Sequence, residues 1–390
     1  MIKYGKITIG LVMLVSLALV LSYCGSSSSD SSTTSTGTAS AGAGASASIS
    51  AIRGATLSLS ATAATSGAPS LGKATNLSEA VNGFYSGLRA KRAEASALKA
   101  KSAATVYKAP QPLNCTNGSG TKDIIGNTTT ITYNYCTQNY YEPGIGNVSE
   151  VQNGTIVFVD NGTSFTISIG NSTTPYTDTI TLLSTSTVLQ NDVMTMTLAG
   201  ALGSAMIPCG ASQSTDYSQL TLDMNGNFQS KGFDDAGVAY DESAVFTAFK
   251  LAVTNSALDD TCAATGGTID ESGMISYTDN LDSLGTESMD ISVSNPLSLA
   301  WTSGTTGDTY TISGTVKMAT SCFTGSLTLA TTTPLSYPTN GDCPTSGEVV
   351  VSGDVNGTVV YTSTGGVQIK DGTGAVVETY TSCNEAQACL

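Results

Sequence analysis

The sequence predicts an all-β fold, an antiparallel hairpin-rich sandwich or open sheet, preceded by a signal peptide, a disordered tether and one helix. Three observations carry this. Composition leans on Gly, Ser, Thr, Val and Tyr, with only 12% charged residues, and β-branched and aromatic side chains suit a pleated, half-buried surface. Beyond Pro110, apolar and polar residues alternate in short runs, the period of a strand with one buried face. Those runs are separated by Asn-Gly, Gly-Gly and Asp-Gly pairs, which tolerate the positive φ of tight hairpin turns. At 390 residues the chain can bury a sizeable core in one large or two smaller domains after a leader and tether.

The leader comes first. Lys3 and Lys6 precede an apolar run from Ile7 to Leu21, interrupted only by Thr8, Gly10 and Ser16. A basic start, a short apolar core and then Ser22-Tyr23-Cys24 is the layout of an export signal. The run is shorter than the ~20 residues that a membrane span needs. Leu21-Ser22-Tyr23-Cys24 resembles the lipobox of bacterial lipoproteins, with Tyr23 standing where Gly, Ala or Ser is usual. The resemblance implies that residues 1–23 are removed by signal peptidase II and that Cys24 carries diacylglycerol. Gly25, rather than an Asp, implies an outer-membrane address.

Residues 24–75 then form the anchor and its tether. This stretch is Ser, Thr, Ala and Gly with almost no large side chain. It cannot bury enough apolar surface to offset its ordering entropy, so disorder is expected. As a flexible coil it spans roughly 40 Å. Gly67 to Lys73 spells most of a phosphate-binding loop, but Ala74 stands where a Ser or Thr should hold magnesium and Pro69 sits inside it.

Residues 76–108 read as the one helical segment. Asn76 and Glu79 can form a capping box, and Leu77, Val81, Phe84, Leu88, Ala95 and Leu98 recur on one helical face. Arg89, Lys91, Arg92, Lys99 and Lys101 make its second half basic. That face suits plain solvation, docking on an acidic body, or contact with anionic lipid. Ser96-Ala97-Leu98-Lys99 matches the Ser-x-x-Lys of penicillin-binding enzymes without the companion motifs.

The body divides by composition into an acidic β-rich domain, 109–295, and a C-terminal meander, 296–390. Ile131, Tyr133 and Tyr135 alternate into Cys136. Thr155–Val159 and Thr163–Ile169 flank Asn161-Gly162, and Leu220–Asp223 and Asn227–Ser230 flank Asn225-Gly226. Each pair reads as a hairpin. Ser243–Val253 fits either a helix or a buried strand. Val349–Ser352, Thr358–Thr362, Val367–Lys370 and Ala375–Thr381 read as successive strands of a meander. Asp241-Glu242, Asp259-Asp260, Asp270-Glu271 and Asp279 to Asp290 read as acidic loops.

Nine cysteines, at 24, 115, 136, 209, 262, 322, 343, 383 and 389, make an odd number for an exported chain. With Cys24 lipidated, eight remain. Pairing sequence neighbours gives Cys115–Cys136, Cys209–Cys262, Cys322–Cys343 and Cys383–Cys389, one choice among many.

Charge and composition then exclude chemistry. Residues 109–390 hold five bases against twenty-seven acids, a body that repels nucleic acid and anionic headgroups. No histidine is present, which removes Ser-His-Asp and Cys-His nucleophile systems and His-ligated metals. No Cys-x-x-Cys occurs. No cofactor is expected. Paired carboxylates for glycosidic cleavage and oxygen-rich calcium loops survive as alternatives. For calcium the nearest match is Asp223-Met224-Asn225-Gly226-Asn227, which reads better as a hairpin turn because Asp234 stands where a Glu belongs. The leading expectation is a non-enzymatic lipid-anchored envelope lipoprotein whose β-rich head engages another macromolecule. A carboxylate-dependent hydrolase or a calcium-dependent adhesion module is the alternative. The Asn-x-Ser/Thr triplets, including Asn127, Asn161 and Asn171, read as turn and cap chemistry.

Overall fold

The computed structural model describes residues 110–381 except 143–144, 204–205, 210–213, 218, 234–238, 259–263, 280–285, 305–306, 320–323 and 339–343. The leader, Cys24, the tether, the 76–108 segment and the phosphate-loop and Ser-x-x-Lys matches lie outside the described residues. So do Cys262, Cys322, Cys343, Cys383 and Cys389.

All regular structure among the described residues is strand. The first group is β1 (Gln111–Pro112), β2 (Asn117–Ile125), β3 (Thr128–Glu142), β4 (Gly146–Asp160), β5 (Ser164–Ile169), β6 (Tyr176–Leu182) and β7 (Thr187–Leu202). A separate two-stranded hairpin follows, β8 (Met206–Cys209) with β9 (Ser214–Tyr217). The sheet resumes with β10 (Gln219–Phe233), β11 (Ala239–Leu258), β12 (Ala264–Asp279), β13 (Thr286–Ile291) and β14 (Leu297–Gly304). It ends with β15 (Gly307–Ala319), β16 (Thr324–Pro338), β17 (Ser346–Gly353), β18 (Gly357–Tyr361), β19 (Val367–Lys370) and β20 (Val376–Tyr380).

Eighteen of these strands form one antiparallel sheet. It is a meander in which each strand pairs with the next along the chain, β7 joining β10 across the small hairpin. Two positions are each filled by a broken strand. Both β5 and β6 pair with β4 and with β7, and both β13 and β14 pair with β12 and with β15. The composition change near Pro296 coincides with the second break, and strand pairing runs on through it.

Alternation explains the burial. In β14, Leu297, Leu299 and Trp301 are buried while Ser298, Ala300 and Thr302 are not. In β5, Phe165, Ile167 and Ile169 share the buried face, as their spacing predicts. One contiguous core runs from Ile131 to Tyr380. Such burial contributes roughly 25 cal/mol per Å² of apolar surface.

A line of irregularities crosses the strands. The line starts at Tyr135 in β3 (φ 49°), beside the β3–β4 register shift. It continues through Gly154 in β4 (φ 112°), which lies against Pro175 and Tyr176, and so reaches the β5–β6 break. From there it runs through Gly226 in β10 (φ 135°), Ala248 in β11 (φ 46°) and Gly273 in β12 (φ 97°), then the β13–β14 break and Gly314 in β15. Bulges bend strands and increase their twist. Gly226 and Gly273 are required there. A Cβ on Gly226 would sit 2.1 Å from the Thr195 carbonyl oxygen, and one on Gly273 2.2 Å from that of Ala248.

This line corrects two expectations and decides one left open. Asn225-Gly226 is not a hairpin turn: β10 runs straight through it, and Asn225 Oδ1 accepts a 2.7 Å hydrogen bond from the Ala248 amide, fixing the opposed bulge. Ser243–Val253 is strand, within β11. Tyr135 is exposed rather than sharing the face of Ile131 and Tyr133, because an extra residue in β3 hands the inward position to Cys136.

Turn chemistry elsewhere follows the sequence. Gly162 (φ 88°) closes the β4–β5 turn, its amide donating to Asp160 Oδ1 at 2.8 Å. Asn171 Oδ1 accepts from the Thr173 and Thr174 amides at 3.0 and 2.9 Å. Asp371 Oδ1 likewise gathers the Thr373 amide and hydroxyl at 2.8 and 2.6 Å between β19 and β20. Those bonds hold its carboxyl below the usual carboxylate range.

Candidate functional site

The register of the first half of the sheet assembles a polar row inside the core. Gln152 on β4 stands opposite Cys136 on β3 and Asp178 on β6. Asp178 stands opposite Asp192 on β7, and Asp192 opposite Ser230 on β10. Directly opposed side chains have Cβ atoms about 4.5–5.5 Å apart. Glu150 joins from β4, two residues before Gln152 and therefore on the same face. The same alternation that buries Tyr176, Met194 and Phe228 turns Asp178, Asp192 and Ser230 inward.

Every member of the row is buried, Asp178 to 2% exposure and Asp192 to 1%. Gln152 Nε2 donates to Glu150 Oε1 at 2.7 Å, and Gln190 Nε2 donates to Asp192 Oδ2 at 2.8 Å. Glu150 lies close enough to Asp178 to favour its protonated form. The Asp178 and Asp192 Oδ1 atoms, the Tyr176 hydroxyl and the Ser230 hydroxyl have no geometric partner. Ser230 nonetheless faces Asp192 closely enough to favour its ionised form.

Burial sets the electrostatics, because desolvation disfavours charge. It lifts Asp178 well above the carboxylate range, reinforced by Glu150 and Asp192. It pushes Asp192 up to about 7, against the opposing pull of Ser230 and Gln190. Tyr133 and Tyr176 are raised too, by burial and then by Asp178. The row can store protons near neutrality.

Two smaller features accompany it. Glu271 of β12, between Leu251 and Leu297 in register, is 1% exposed with both carboxylate oxygens unpartnered, and burial alone pushes it up to about 8. Asp270-Glu271 is therefore mid-strand, not the loop its composition suggested. Near the β14–β15 turn, Tyr310 donates to Asp308 Oδ2 at 2.9 Å beneath the edge of Tyr337.

The sequence-predicted residues distribute unevenly. Cys115 and Cys136 form a disulfide with Cα atoms 5.2 Å apart, tying the segment before β2 to β3. Cys209 ends β8, and its expected bond to Cys262 lies outside the described residues. The segment from Asp223 to Asn227 is a strand bulge rather than a loop; its Asp223 pairs with Lys250 at 3.2 Å on the outer face. Among the described residues no group of three or more His, Cys, Asp or Glu side chains is arranged to hold a metal ion. Asp241 and Glu242 lie in β11. The carboxyl row escaped sequence reading, although one signal was present: Asp178 shares the parity of Tyr176.

The surface adds one feature. Tyr141, Ile145, Leu183 and Val188 are exposed and converge at one end of the sheet, around the β3–β4 and β6–β7 turns. The Leu183 amide donates to the Asn147 carbonyl at 3.0 Å, joining the two turns. The chain matches no protein-family model, no curated protein and no solved structure.

Proposed function

We propose that this protein is a non-enzymatic lipoprotein, anchored through Cys24 in the bacterial outer membrane, whose disulfide-bonded β body engages another envelope or extracellular macromolecule. The observation that carries the reading is the Cys115–Cys136 bond. Disulfides persist in oxidising compartments, which agrees with an export leader ending at a lipobox-like cysteine. The tether gives the body a reach of roughly 40 Å from the membrane.

Two features of the body support contact rather than catalysis. The carboxyls that do come together lie beneath the sheet surface, away from a polymeric substrate. The exposed apolar end formed by Tyr141, Ile145, Leu183 and Val188 is the kind of surface that marks protein interaction.

Metabolic palmitate labelling of wild type and Cys24→Ala tests the anchor: label is expected in the wild type alone, and equal labelling would remove it. Capture from envelope extract tests the head. One envelope component should be retained by wild type and lost by Leu183→Ser/Val188→Ser without loss of fold. Turnover of a glycan panel, abolished by replacing an acidic residue, would overturn the binding reading in favour of a carboxylate hydrolase.

A further inference from the structure

We propose that residues 76–104 of the chain dock on the exposed apolar end of the sheet, so that the surface offered to a partner is covered by the protein's own segment until the partner competes for it. The inference rests on the reading of that end as a contact surface and names its occupant in the free protein. Five large apolar side chains stand there, each 44–65% exposed: Tyr141 near the end of β3, Ile145 in the β3–β4 turn, Leu183 after β6, Val188 in β7 and Phe233 at the end of β10. Phe233 joins the group because its neighbour Gly232 pairs with Gln190, two residues from Val188. At this end β3, β4, β6, β7 and β10 are successive strands, so the group crosses four strand spacings, ~19 Å.

The segment carries a matching pattern. Leu77, Val81, Phe84 and Leu88 fall on one helical face, and as a helix they span ~17 Å. Anchors three and four residues apart on an amphipathic helix are a recurring way of filling an apolar surface. The chain also enters the body within reach. β1 begins at Gln111, whose register runs through Lys122 to Ile131 on β3, and Tyr141 lies ten residues further along that strand, ~33 Å. Residues 89–110 cover the distance, with ~24 Å as helix to residue 104 and ~20 Å as extended chain after it.

Charge selects this occupant over the others. Residues 76–108 hold Arg89, Lys91, Arg92, Lys99, Lys101 and Lys108 against Glu79 and Glu94, while 109–390 hold five bases against twenty-seven acids. Around the apolar end the sequence places Glu142 beside Tyr141 and Asp234-Asp235 beside Phe233, with Lys231 the one base of β10. A second copy would bring two such acidic rims together, and anionic headgroups are repelled by the same field. The segment has the opposite sign. It is also joined to the body by a short connection, which sets its local concentration on the order of millimolar.

Trypsin digestion of the full-length protein tests the contact, with Arg53 and Lys73 outside the segment as internal references. Cleavage at Arg89, Lys91 and Arg92 should run at least about tenfold slower than at the references, because cleavage tracks the population of the undocked state. Leu183→Ser/Val188→Ser and Phe84→Ser/Leu88→Ser should each remove the difference. Equal rates in the wild type would overturn the proposal. So would protection that survives Leu183→Ser/Val188→Ser, since the segment would then be shielded by something other than this surface. Benzoylphenylalanine in place of Phe84 identifies the occupant directly. A photo-cross-link within one chain, to a peptide bearing Tyr141 and Ile145 or Leu183 and Val188, is expected; links only between chains, only to lipid or only elsewhere on the body would refute the docking. Phe84→Ser/Leu88→Ser should also retain more of the envelope component captured by wild type, because the competing segment is gone. Capture without protection would sink the docked segment alone, and protection without capture would uphold it and sink the partner reading alone.

Discussion

Replacing Glu271 with Leu should stabilise the protein most at high pH and by a smaller amount in acid. The carboxyl sits on the inward face of β12 with Leu251 opposite on one side and Leu297 on the other. Neither oxygen has a partner, and burial lifts it from 4.5 to about 8. In the folded state it keeps a proton that the unfolded chain gives up from about pH 4.5. Stability is therefore fully present below that value and is lost as pH rises through about 8. At 1.36 kcal/mol per unit the loss is roughly 5 kcal/mol, a large share of the ~5–15 kcal/mol that holds a typical domain. Leu has a similar volume and matches both cross-strand neighbours, so the variant keeps the packing and removes the titration. Even in acid the neutral carboxyl leaves a buried group unsatisfied, a cost of ~1–3 kcal/mol that Leu also removes. Guanidinium unfolding across pH reads this directly through Trp301, the one tryptophan, which is 2% exposed. The difference between variant and wild type isolates Glu271 from Asp178 and Asp192, which titrate in both. Parallel pH slopes would refute the reasoning, as would a Leu variant several kcal/mol less stable at every pH. Either would mean that Glu271 is ionised and compensated in the fold.

Two further perturbations test the frame around these sites. Removing the Cys115–Cys136 bond as the double Ser variant frees a loop with a sequence separation of 21; loop-closure entropy puts the cost at about 3 kcal/mol, read as a lower denaturation midpoint. Gly226→Ala should destabilise by more than ~2 kcal/mol because its Cβ meets strand backbone. Gly162→Ala, with nothing within 4 Å, should cost only about 1 kcal/mol for its positive φ; equal thermal shifts would show that the bulge line is not a structural requirement.

The Asn-Gly pairs illustrate how one local signal has two outcomes. At 161–162 the pair lies between the end of β4 and the start of β5, and it makes the hairpin its φ preferences allow. At 225–226 the same dipeptide lies where β7 and β11 flank β10 on both sides, and the neighbouring ladders carry the strand straight on. The positive φ is then absorbed as a bulge. Asn225 is used to hold Ala248 in the left-handed region instead of turning the chain.

By itself the sequence determined the all-β class, the C-terminal meander and most of the turns, and it offered the Cys115–Cys136 bond as one pairing among many. Each of these rests on local information: period-two burial, dihedral preference, or closeness along the chain. It also carries the expectation of an export leader and of a lipidated Cys24, which rest on signals of composition. It did not determine strand identity at the bulges. One inserted residue breaks period two, so Phe246 and Phe249 sit three apart as on a helix while both face the core of β11. Nor did it determine the carboxyl row. Glu150, Asp178 and Asp192 are far apart in sequence, and only the register of β4, β6 and β7 makes them neighbours. Burial, the largest influence on whether such acids are charged, is a property of the folded sheet.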